Sequence, residues 1–236
     1  MSNEFATAPH AVVTGSSGGI GRAIASHLLE AGWRVSGVDL AAPTLSCHAG
    51  FTHTAVDLCD AAAIARAAAA LQDADALVHA AGVLRVGELG SLDHVGGELM
   101  WRRLVDAPTR LAGALVPGMA ARGRGRVVFV GSRVAQGLPG RGQYAATKAA
   151  LIALARSWAA EVAARGVTVN VVSPGATQTS MLQDPARAGS APRMPPIGRL
   201  IQPGEIAALV GFLLSPQAAA ITGQDVAICG GSSLHR

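Results

Sequence analysis

Short apolar runs alternate along this chain with longer helix-like stretches, and that alternation restricts the fold more than any other feature. Ala11-Val12-Val13, Arg34 to Val38, Phe51 to Val56, Ala76 to His79, Arg126 to Val130, Thr168 to Val172 and Asp225 to Ile228 read as strands. Between them, Ile20 to Ala31 has helical spacing that Gly32 can cap, and Asp60 can cap an alanine-rich helix. Glu98 to Ala121, Tyr144 to Arg165 and Glu205 to Leu214 also read as helices. Continuously apolar strands need cover on both faces. The pattern predicts an α/β fold: a doubly wound parallel sheet of about seven strands, flanked by helices on both faces. Nothing resembles a linker or a repeat, so residues 1–236 read as one domain. Residues 180–199 are rich in Pro, Gly, Ser and Arg and follow the C-terminal end of a strand, where ligands bind in such sheets. They read as a substrate lid.

Half of the residues are hydrophobic yet only 3% are aromatic, so the core must be built from Ala, Val, Leu and Ile. The formal charge is +4. The densest basic cluster, Arg122, Arg124 and Arg126, alternates with Gly before a strand and has no interleaved aromatic residues. It reads as a solvated connector rather than a nucleic-acid surface. Cys47, Cys59 and Cys229 are odd in number and form no C-x-x-C pair, which suits a reducing compartment. The first ten residues lack the apolar core of a signal peptide, and the apolar stretch Ala61 to Leu71 is interrupted by Arg66 and too short to span a bilayer. The expectation is a soluble, cytoplasmic protein with no metal, membrane or nucleic-acid partner.

Three constellations carry chemistry. Thr14-Gly15-Ser16-Ser17-Gly18-Gly19-Ile20-Gly21 joins the first strand to the first helix. Glycines there permit a tight turn and close approach of a phosphate, and the helix start offers free N–H groups to a pyrophosphate. Asp39 follows the second strand, where a carboxylate can accept hydrogen bonds from ribose hydroxyls and repel a 2′-phosphate. No Lys or Arg stands in the turn or just after Asp39, which favours NAD over NADP. The third pair is Tyr144 and Lys148, the chain's one tyrosine and its only lysine among 18 arginines. On a helix they share a face, and a compact cation beside a phenol favours the phenolate. An isolated pair of this spacing also occurs as an ordinary surface contact; the company it keeps decides.

With these residues in view the chain resembles the short-chain dehydrogenase/reductase family in its compact one-domain form. The match runs from Ala11 to Gly231. It comprises the glycine turn, Asp57-Leu58, His79-Ala80-Ala81-Gly82, Ser132, Tyr144-x-x-x-Lys148, Asn170, and Pro174-Gly175 with Thr179. The resemblance implies a Rossmann-like fold and a catalytic set of Ser132, Tyr144 and Lys148, with Tyr144 as acid/base and Ser132 orienting the substrate oxygen. It implies cofactor contacts from Gly15, Ser17, Gly19, Ile20, Gly21, Asp39, Leu40, Asp57, Leu58, His79, Ala81, Tyr144, Lys148, Pro174, Gly175, Thr177 and Thr179. It also implies a homo-oligomer, a tetramer or a dimer, paired through the helices Glu98 to Ala121 and Tyr144 to Arg165.

Departures from the family pattern are visible. The usual helix asparagine falls on Leu104, whose main-chain carbonyl could keep the same relay. His79 takes a place usually held by Asn and reads as a buried, hydrogen-bonded histidine. The Ser132 to Tyr144 spacing is one residue short, so that loop must be reshaped. Cys229 stands where Asp is common and receives no role.

The substrate is the least legible part. Arg133, Arg141 and Arg193 read first as solvated surface groups, and one of them could grip a substrate carboxylate. Ala80 to Gly87, Asn170 to Met181 and Ile197-Gly198-Arg199 are similar to the family's dihydrodiol dehydrogenases, which oxidise a cyclic dihydrodiol acid to a catechol with NAD. The expectation is NAD-dependent hydride transfer from a secondary, cyclic alcohol or dihydrodiol. Two alternatives stand beside it: an NAD(P)H-dependent carbonyl or 3-oxoacyl reductase, and a catalytically silent nucleotide sensor.

Overall fold

The structure is a computed structural model that describes residues 8–183 and 193–234. Seven strands form one sheet: β1 (His10–Thr14), β2 (Arg34–Asp39), β3 (Phe51–Ala55), β4 (Ala76–His79), β5 (Gly125–Val130), β6 (Val167–Pro174) and β7 (Asp225–Ile228). Their order is β3-β2-β1-β4-β5-β6-β7, and every neighbouring pair is parallel. This is the doubly wound, Rossmann-like sheet that the alternation predicts.

Six α-helices lie among the described residues: α1 (Gly19–Glu30), α2 (Ala61–Ala69), α3 (His94–Trp101), α4 (Ala107–Ala121), α5 (Gly142–Val162) and α6 (Pro203–Leu214). The strand period of two divides the core. Val12, Leu77, Val127, Phe129, Val169 and Val171 point to the face covered by α2, α4 and α5. Ala11, Val13, Ala76, Val78, Val128 and Val172 point to the face covered by α1 and α6. Phe129 meets Trp158 edge-on at 5.9 Å, one of the few aromatic contacts available to this composition.

Helix starts follow local chemistry. Asp60 accepts hydrogen bonds from Ala62 N and Ala63 N at 2.8 and 3.1 Å and opens α2 as expected. The rod expected from Glu98 begins earlier, at His94, because the Asp93 carboxylate caps Gly96 N at 2.8 Å. Arg102–Asp106 is a π turn linking α3 to α4, so one rod runs from His94 to Ala121.

The Arg122–Arg126 segment is more than a solvated connector. Arg122 donates to the carbonyls of Gln72, at 2.9 Å, and of Ala74, and Arg124 pairs with Asp75 at 3.1 Å. These guanidiniums tie the turn before β4 to the turn before β5. No helix among the described residues is long and apolar enough to cross a membrane. Among the same residues no group of side chains could hold a metal ion, and Cys47, Cys59 and Cys229 are all free.

Candidate active site

The sheet reverses its winding between β1 and β4, and the turns that leave these two strands open a crevice at their C-terminal ends. Gly15 sits there at φ +71°, and a Cβ on it would lie 2.7 Å from the Ala81 backbone, so only glycine fits. Its neighbour Gly21 has a different task. A Cβ there would lie 2.1 Å from the Gly15 carbonyl, so Gly21 lets α1 pack against the turn. The start of α1 has Gly18 at its cap, no side-chain cap and no acidic residue in its first turn, which leaves N–H groups for an anion.

The crevice encloses about 340 Å³, lined by Gly15, Ser17, Gly19, Ile20, Asp39, Leu40, Asp57, Leu58 and Ala81, among others. Asp39 accepts hydrogen bonds from Ser17 N and Ala41 N, both at 3.0 Å, which orient its carboxylate beside the glycine turn. Asp57 accepts from Cys59 N at 3.0 Å, and the Arg103 guanidinium lies 3.7 Å from its carboxylate. A glycine cradle that a single methyl would fill, uncapped N–H groups and an oriented carboxylate suit a dinucleotide.

A larger cavity of about 880 Å³ adjoins this crevice, and Ile20, Ala80, Gly82, Thr179 and Met181 border both. Ser132, Tyr144, Lys148, Pro174, Gly175, Thr177 and Thr179 line it. β5 ends just before Ser132, whose Oγ accepts a hydrogen bond from Val134 N at 3.2 Å and keeps its own hydrogen to donate. Tyr144 and Lys148 lie one turn apart on α5, with Nζ 5.7 Å from the phenol ring centroid. Lys148 is only 3% exposed and donates to the Val130 carbonyl at 2.7 Å. Burial pushes its ammonium down to about 7. The compact cation expected from the sequence is therefore a group that titrates near neutrality. Met181 and Leu182 on one side, and Arg193, Met194 and Pro196 on the other, also line the cavity. The centre of the expected lid, residues 184–192, lies outside the described residues.

His79 and Gly21 are the two expected cofactor contacts that border neither space. His79 lies fully buried beneath the turn. Thr14 Oγ1 accepts from Ala80 N and Ala81 N, both at 3.2 Å, so its hydrogen goes to His79 Nδ1 at 2.9 Å. That leaves the ring proton on Nε2. Nε2 completes no hydrogen bond, although the Arg103 main chain lies beside it. Burial first, and the Lys148 charge second, push the imidazole down to about 3.

The π turn accounts for what His79 faces. Ala107 N donates to Arg102 O, five residues back. Pro108 has no N–H to give. The Arg103 carbonyl therefore loses its usual helical donor and gains none from the helix itself. Leu104, at the position of the usual asparagine, is fully buried and packs with Val83 and Met100 against Tyr144. The short Ser132 to Tyr144 loop is built from a 3₁₀ turn over Arg133–Gln136 and positive φ at Gly137 and Gly140.

Arg103, which no sequence motif singles out, borders the nucleotide crevice, and Arg141, expected first as a solvated surface group, is 6% exposed and lines the larger cavity. A cation directly before an N-terminal helical turn was the available signal for Arg141. Arg103 offered none, because its direction depends on the π turn.

Comparison with known proteins agrees with the geometry. A family model described as enoyl-(acyl carrier protein) reductase matches residues 15–233. A 3-oxoacyl-(acyl-carrier-protein) reductase of Vibrio cholerae is 38% identical over 94% of this chain and 96% of its own. A 2-keto-3-deoxy-L-fuconate dehydrogenase of Xanthomonas campestris is 35% identical over 94% of this chain and 79% of its own. A solved short chain dehydrogenase/reductase family protein superposes with a TM-score of 0.90 at 35% identity, covering 96% of this chain and 98% of its own. Sheet order, glycine cradle, Ser132, Tyr144, Lys148 and these likenesses converge: the chain belongs to the short-chain dehydrogenase/reductase family, oxidoreductases that interconvert alcohol and carbonyl groups.

Proposed function

We propose that this oxidoreductase is an NAD-dependent dehydrogenase of secondary alcohols, with cyclic alcohols and dihydrodiols as its substrate class. Asp39 carries the reading. Its carboxylate borders the nucleotide crevice, where it suits ribose hydroxyls and repels a 2′-phosphate. Arg103 is the one cation among the described lining residues, and Asp57 faces it at 3.7 Å. The bound nicotinamide would supply the carbon that accepts or returns the hydride. Ser132 Oγ–H orients the substrate oxygen. Tyr144 Oη takes the hydroxyl proton, and Lys148, while protonated, favours the phenolate that does so. The Val130 carbonyl anchors Nζ and keeps it behind the phenol. Leu104 supports the ring from the apolar side, which argues against the silent sensor.

The same groups run the reverse reaction. Reduction of a 3-oxoacyl thioester is the second reading, supported by the name of the Vibrio cholerae relative. Pairing of subunits through α4 and α5, as dimer or tetramer, belongs to the same proposal. Affinity separates the two readings. NADH is expected to bind more tightly than NADPH, and Asp39→Ala is expected to narrow the gap at least roughly tenfold, about 1.4 kcal/mol. A wild-type preference for NADPH would overturn the NAD assignment in favour of the reductase.

A further inference from the structure

One guanidinium lines the nucleotide crevice without belonging to any expected set of cofactor contacts. Arg103 stands there with its side chain 33% exposed. Other arginines on the same rod pair one turn away, Arg102 with Glu98 and Arg110 with Asp106, each at 2.7 Å. Arg103 has Leu99 and Ala107 at the corresponding positions, so its own helix offers it no acid. It leans to Asp57 instead, at 3.7 Å, which is beyond hydrogen-bond reach. That contact and the one from Cys59 N both use Asp57 Oδ1, which leaves Oδ2 to accept from a ligand. The base of the Arg103 side chain is fixed. Leu104, the next residue, is fully buried, and the Arg103 main chain lies beside His79 beneath the cofactor turn.

Charge and surface decide what this part of the crevice can hold. Among the described lining residues two carboxylates, Asp39 and Asp57, stand against one guanidinium. The balance is negative and disfavours a further phosphate. Leu40, Val56 and Leu58 supply apolar surface beside these charges, and Leu40 stays 61% exposed. A flat, neutral heterocycle with a polar edge meets both conditions. The diphosphate has its own place, at the uncapped start of α1. A guanidinium is planar and weakly hydrated, and it packs on an aromatic face better than an ammonium does.

We propose that Arg103 binds the purine of the dinucleotide, with its guanidinium against the base and Asp57 at the base's edge. This assignment rests on the dinucleotide reading of the crevice and adds a residue to it. The choice between NAD and NADP stays with Asp39.

Binding tests this without turnover. NADH and NADPH are titrated into the cofactor-free protein by nucleotide fluorescence, and ADP-ribose by calorimetry. Arg103→Ala is expected to weaken all three by one common factor, roughly three- to thirtyfold, the range of a cation–aromatic contact shielded from water. Arg103→Lys keeps the charge without the plane and should recover part of the loss. Arg103→Gln repeats the test should Arg103→Ala fail to fold. The loss should persist as NaCl is raised from about 0.05 to about 0.5 M, because the base is neutral, whereas a contact with a phosphate would be screened. Unchanged affinity overturns the inference. So does a loss that fades with salt, or one confined to NADPH, since either assigns Arg103 to a phosphate. A loss for NADH that spares ADP-ribose also overturns it, because both ligands carry the purine. None of these results moves the wild-type preference between NADH and NADPH, so the NAD assignment stands or falls on its own measurement.

Discussion

Replacing Lys148 with methionine is expected to abolish turnover while making the fold more stable. Nζ is held at about 7 against an ordinary 10.5 because the side chain is buried. The unfolded chain therefore binds a proton between pH 7 and 10.5 that the folded chain releases. Stability rises with pH across that window. Below pH 7 the full penalty of burying the ammonium applies, roughly 5 kcal/mol, and near pH 10.5 it is gone. Methionine fills the volume of the lysine stem without a charge. It forfeits the hydrogen bond to Val130 O and leaves that carbonyl unmatched, at a cost of about 1–3 kcal/mol. The net gain at pH 7 is then roughly 2 kcal/mol. Urea unfolding of both proteins without cofactor, at one protein concentration and at pH 7 and 9, measures it. Wild type should gain about 2 kcal/mol more than Lys148→Met between those two values. Parallel pH dependence, or a variant less stable at both, would refute the reasoning.

Three further outcomes follow from the same geometry. Gly15→Ala must place a methyl 2.7 Å from the Ala81 backbone at positive φ, so it should cost at least roughly 2 kcal/mol and eliminate NADH binding, read by Tm and by nucleotide fluorescence. His79 is neutral in the fold down to about pH 3, whereas the unfolded chain protonates it near 6.5, so stability should fall as pH drops through that window. His79→Asn should flatten the decline between pH 6 and 4 in urea midpoints; an equally steep decline means that His79 is not its source. Tyr144→Phe should eliminate turnover of any alcohol that wild type oxidises while NADH affinity stays within about twofold; a near-normal rate would remove Tyr144 from the chemistry.

The sheet was readable because its central strands β1, β4, β5 and β6 carry apolar runs buried on both faces, and its outer strands are short segments set between helix-like stretches. All seven strands lie where those runs and segments lie, with ends shifted by a residue or two; β6 extends to Pro174 because pairing with β7, a tertiary matter, carries it on. The glycine turn was readable because its glycines answer a local steric demand. Side-chain direction was not. Arg141 and Arg133 are chemically like the arginines of the surface, and burial of one of them depends on the bridge between Gly87 and Arg141 across the chain. His79 belongs to a layer beneath the cofactor turn because Thr14 Oγ1 has only one hydrogen to give, and that bookkeeping needs the Ala80 and Ala81 amides in place. Pro108 removes one donor from the helix ladder, but the π turn at Arg102–Asp106 and the packing of Leu104 with Met100 are seen only in the fold.

The five residues Arg102–Asp106 bear on how this chain can change length. A π turn stores one surplus residue in a rod that is otherwise of ordinary pitch. Deleting one of the five would restore that pitch and leave the segments on either side in register, because the bulge alone absorbs the surplus residue. Met100, wholly enclosed today, would keep its place in the wall behind Tyr144. Elsewhere along the rod a lost residue would rotate everything ahead of it by about 100°.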